Sequence, residues 1–211
     1  QNHISDPTMN TFSFTTKAKG NFSQILNFAN FQKLTLSDNT EELEFLQEVI
    51  NILDIDFENI QINYPDITKE NVLSLLKQHS EKPNFFNNQL LKEIEFASHH
   101  FNELCDIQEQ ELSSLPLDII YSITSHEQLR LRDEDQLLEF VNNLYRRSLE
   151  FNSEERRDIS NLYQNVHFLN VTQTTIEAFI SLFDVDDINN QTWASLCRRL
   201  SADISTKSKP S

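Results

Sequence analysis

Between Phe96 and Tyr145 apolar positions recur every three or four residues with little polar linker between repeats, and the rest of the chain is organised around this stretch. Leu112, Leu115, Ile119, Ile120 and Ile123 fall at helical offsets. Pro116 stands where a first-turn proline costs nothing, because its missing N–H would be unpaired anyway, so a helix is expected to start there. After the short Leu129-Arg130-Leu131 link, Asp133 is placed to cap the next helix while Gln136 reaches back. Leu137, Leu138, Val141, Leu144 and Tyr145 supply that helix's buried stripe.

The same reading extends along the chain. Phe12 and Phe14 alternate with polar residues as on a half-buried strand over Thr11–Thr15, and Gly20 permits a turn. Phe22, Ile25, Leu26 and Ala29 predict a short helix, and Lys33–Leu36 a brief strand. Asn39 with Glu42 forms a capping box for a helix with its face at Leu43, Leu46, Val49, Ile50 and Leu53. Tyr64-Pro65-Asp66 marks a break, after which Asp66 or Thr68 caps a helix carrying Val72, Leu73, Leu75 and Leu76. His79–Asn88, with Pro83 and three asparagines, is the expected interdomain link.

Leu90, Ile94, Ala97, Phe101 and Leu104 form a stripe leading into the organising stretch. Further stripes follow at Ile159, Leu162, Tyr163 and Val166, at Ile176, Phe179, Ile180 and Phe183, and at Trp193, Leu196, Cys197 and Leu200. Ser153 caps the first of these, with Glu154 and Glu155 in its opening turn, where the macrodipole favours them. Trp193 is read as core, and Ser201–Ser211, rich in Ser, Lys and Pro, as linker or tail. The expected division is a first domain over 1–64, a connecting helix and linker over 65–88, a helical domain over 89–204 and a flexible tail over 205–211.

Composition narrows the chemistry. The chain of 211 residues carries a net charge of −16, which argues against nucleic acid or an anionic membrane as partner and favours basic protein surfaces. A single glycine, Gly20, rules out the glycine-rich loops that bring backbone against phosphates, so no cofactor is expected. Cys105 and Cys197 lie on predicted helices among apolar neighbours and read as reduced core thiols, which fits a cytoplasmic protein. The triplets beginning at Asn21, Asn170 and Asn190 match the glycosylation pattern, as an Asn-rich chain does by chance.

Side chains able to do chemistry read more simply as structure. The rings of His99 and His100, beside Cys105, leave a helix about 100° apart and do not share a metal easily. Asp184, Asp186 and Asp187 resemble the opening of a calcium loop, but Asn189 replaces its turn glycine and Ser195 its bidentate Glu, so capping and linker acids are expected. Glu41, Glu42, Glu44 and Glu48 fall mostly opposite an apolar face and read as solvated. Arg146-Arg147, Arg156-Arg157 and Arg198-Arg199 either line one surface for an acidic peptide or phosphate, or compensate helix C-termini. The second reading carries more weight.

The order His100-Phe101, Leu112, Leu115-Pro116, the following isoleucines, Leu129-x-Leu131 and Glu134 ahead of an apolar helix resembles the BACK domain. Phe22-x-x-Ile25-Leu26-x-Phe28, a short strand, an Asn-containing turn and a helix ending Leu53-x-Ile55 resemble the second half of a BTB domain. The resemblance implies a mostly α chain, in which a small α+β BTB-like portion precedes an all-α BACK-like domain of helical hairpins. It implies a piece of a longer adaptor that binds proteins, among them a cullin of a ubiquitin ligase and a substrate held by a domain beyond Ser211. Protein contacts would fall at Phe22, Ile25, Leu73 and Leu76, with no catalytic, cofactor or metal residue. In cullin-binding relatives a hydrophobic-any-Glu motif precedes the helix that begins near Phe22. Ala18-Lys19-Gly20 stands in its place, so cullin binding is expected to be weak. The alternative is an oligomerisation scaffold with no ligase link. A hydrolase ranks third, because nothing in the sequence assembles a nucleophile, a base and oxyanion donors.

Overall fold

The computed structural model describes residues 15–23, 25, 33–35, 40–53, 61–64, 66–81, 83–149 and 153–207. The protein is mostly helical, and its chain divides into two compact units, Gln1–Asp66 and Ile67–Ser211.

In the first unit β1 (Lys33–Thr35) and β2 (Gln61–Asn63) pair in parallel, with Lys33 opposite Gln61 and Thr35 opposite Asn63. Parallel neighbours need a crossover between them, and α1 (Thr40–Leu53) lies within it. Phe45, Leu46, Val49 and Ile50 of α1 are buried, whereas Leu53, expected on the same face, is 37% exposed. Gly20 works by close approach: a Cβ there would overlap the Phe45 ring. The expected strand over Thr11–Thr15 and the cap at Asn39 lie outside the described residues, Thr15 excepted, which is not in a strand.

The second unit is wholly helical among its described residues. Its first pair is α2 (Val72–Ser80) and α3 (Pro83–His99). The expected link over His79–Asn88 is therefore corrected: most of it is the start of α3. Proline's fixed φ and missing N–H suit the first helical position, so Pro83 opens the helix instead of interrupting it. The buried stripe Leu90, Ile94, Ala97, Phe101 and Leu104 runs on across His100, whose φ of −109° and ψ of 14° separate α3 from α4 (Phe101–Leu112). Pro116, extended at φ −54° and ψ 142°, is the N-cap of α5 (Leu117–Thr124), and its carbonyl accepts from the Ile119 and Ile120 amides.

Asp133 caps α6 (Glu134–Ser148) as the sequence leads one to expect, accepting from the Gln136 amide at 2.9 Å. The Gln136 side chain reaches one residue further back than a capping box requires. Its Oε1 accepts from the Arg132 amide, and its Nε2 donates to Asn102 Oδ1. Leu137, Leu138, Val141, Leu144 and Tyr145 are all buried in one core with Ile119, Ile120 and Ile123.

After α7 (Ser153–Ser160) come 3-10 turns at Asn161–Asn165 and Phe168–Asn170, α8 (Gln173–Leu182), a 3-10 turn at Val185–Asp187 and α9 (Asn190–Lys207). Aromatic rings extend the core: Tyr163 lies 6.2 Å from Tyr145 and 4.8 Å from Phe179, which in turn lies 5.3 Å from Phe168. Such offset and edge contacts contribute about 0.5–1.5 kcal/mol each beyond burial.

Two expectations for α9 fail. The helix continues through residues 201–207, where a tail was predicted, and the Ser201 hydroxyl donates to the Cys197 carbonyl at 2.8 Å in the back-bonding that lets serine sit in a helix. Trp193 is 47% exposed, because Thr192 and Leu196 hold the centre of the buried face and Trp193 lies about 100° round the helix from Thr192.

Candidate functional site

Of the four residues expected to make protein contacts, Phe22 alone is exposed, at 45%. Ile25 is buried in the first unit, and Leu73 and Leu76 are buried in the core of the second. That expectation is corrected for these three, since a side chain packed into its own core has no surface to offer a partner. Periodicity marks buried positions, and it marked these.

The polar groups of the second unit are largely taken up in holding helices together. His79 and Glu93 are buried between α2 and α3, where the imidazole Nδ1 lies 2.8 Å and 2.9 Å from the two carboxylate oxygens. Glu93 is 0% exposed, and a carboxylate so placed requires its partner. A second centre surrounds Asp187. The Tyr145 hydroxyl donates to Asp187 Oδ2 at 2.7 Å, Arg156 Nε lies 3.4 Å from the same oxygen without hydrogen-bond geometry, and the Ser160 hydroxyl donates to the Asp187 carbonyl. Burial, and then the bond to Asp187, raise the Tyr145 pKa. The expectation of capping and linker acids thus holds for Asp184, which caps the 3-10 turn by accepting from the Asp186 amide. Asp187 is instead a buried anchor for α6 and α7.

The arginine pairs divide in the same way. Arg146 and Arg147 stand in the last turn of α6, where helix compensation puts them. Arg198 and Arg199 lie inside α9, not at its end, and Arg199 donates twice to the Val171 carbonyl. Arg156 serves Asp187.

Nor does the geometry assemble a nucleophile with a base among the described residues. Ser98, Ser148, Ser160 and Thr124 donate to backbone carbonyls. Cys105 and Cys197 are free thiols, and burial, reinforced by Glu109 and Asp106, pushes Cys105 up to about 12. A thiol held protonated is a poor nucleophile. His99 and His100 meet edge to face at 5.2 Å, and no group of three metal-ligating side chains occurs among the described residues. No described helix is long and apolar enough to cross a membrane.

One side of α6 carries polar residues at neighbouring positions along a cleft. Glu139, Asn142, Asn143 and Arg146 follow each other at i, i+3, i+4 and i+7, lining a cleft of about 280 Å³ against Thr174, Thr175 and Ala178 of α8. Asn142 and Asn143 escaped the sequence reading, since polar positions on a helix carry no periodic signal of a cleft. Comparison with known proteins finds no matching family model, no matching curated protein and no matching solved structure.

Proposed function

We propose that the chain is a non-enzymatic protein-interaction adaptor of the BTB–BACK type, with a BTB-like α+β portion followed by BACK-like helical hairpins. The observation that carries this reading is the second unit itself. Its helices succeed each other on short links around one apolar core, and its buried carboxylates and hydroxyls mostly hold that core together. Free thiols at Cys105 and Cys197 support a cytoplasmic setting. The net charge of −16 supports protein partners over nucleic acid.

Cullin binding is weak in this proposal, because Ala18-Lys19-Gly20 replaces the hydrophobic-any-Glu anchor. Losing a buried anchor costs more than ~2 kcal/mol, about thirtyfold in affinity. Calorimetric titration of the protein with a cullin N-terminal domain tests both parts. Micromolar or weaker binding is expected, and submicromolar affinity that survives charge reversal at Lys19 would overturn the role given to this loop.

The second reading, an oligomerisation scaffold without a ligase link, draws on the exposed Ile107, Leu169 and Val185. Light scattering separates the two. A monomeric or weakly associating chain would favour the adaptor, whereas a tight dimer would favour the scaffold.

A further inference from the structure

We draw no further inference here: the strongest candidate, the cleft of about 420 Å³ between the end of α5 and the turn at Asn161–Asn165, lined by His126, Glu127, Glu134 and His167, holds no buried polar atom without a hydrogen bond among its described residues, and nothing in the structure shows what covers it.

Discussion

Replacing Tyr145 by Phe removes one oxygen from the buried centre that joins α6, α7 and the Val185–Asp187 turn. The ring stays, and with it the packing against Tyr163. The lost bond is short, 2.7 Å, and ends on a carboxylate that is nearly inaccessible. Hydrogen bonds to charged groups contribute about 1.5–3 kcal/mol, and the other side chain recorded at that oxygen among the described residues is Arg156, at 3.4 Å and outside hydrogen-bond geometry. The Asp184 amide also loses an acceptor, but at 3.3 Å that is a minor term. The expected loss is therefore about 2 kcal/mol. Asp187→Ala should cost about 3 kcal/mol, because it strands the Arg156 charge and the tyrosine hydroxyl together. The double variant should fall short of the sum by about 1–2 kcal/mol, the coupling of groups in one network. Urea unfolding followed by circular dichroism and by Trp193 fluorescence, which reports on the second unit alone, measures all three. With a slope of about 2 kcal/mol/M, Tyr145→Phe should lower the midpoint by about 1 M at constant slope. A shift below about 0.25 M, or strict additivity, would show that Asp187 is satisfied by something other than Tyr145.

Leu138→Ala should destabilise the second unit by about 2–4 kcal/mol in the same assay, since its side chain is wholly buried among α5 and α6 residues. Trp193→Ala should change stability by less than about 0.5 kcal/mol, and acrylamide should quench Trp193 readily in the native protein, because its ring is half exposed. Cys105 carries a pH dependence with a definite sign. Its thiol ionises at about 8.5 when unfolded and at about 12 in the fold, so between these values the native state holds a proton that the unfolded state has released. Stability then falls as pH rises above about 8.5. Cys105→Ala should lose less stability over that range, and alkylation of native Cys105 should wait on unfolding.

Much of the helical unit is legible in one dimension because burial on a helix has a period. The stripes at Leu90–Leu104, Ile119–Ile123 and Leu137–Tyr145 repeat it, and Asp133 announces the start of α6 through local chemistry within one turn. Periodicity cannot separate adjacent residues on the edge of a stripe, however, and Trp193 turned outward although its offset matched Leu196 and Leu200. It also cannot tell a core leucine from a docking leucine, which is why Leu73 and Leu76 read as contacts until the packing of α2 on α3 buried them. Only the tertiary structure pairs residues distant in sequence. His79 with Glu93, Tyr145 with Asp187 and Asn142 with Tyr163 are polar positions whose meaning depends on what lies across the gap, and no local pattern encodes a partner 14, 42 or 21 residues away.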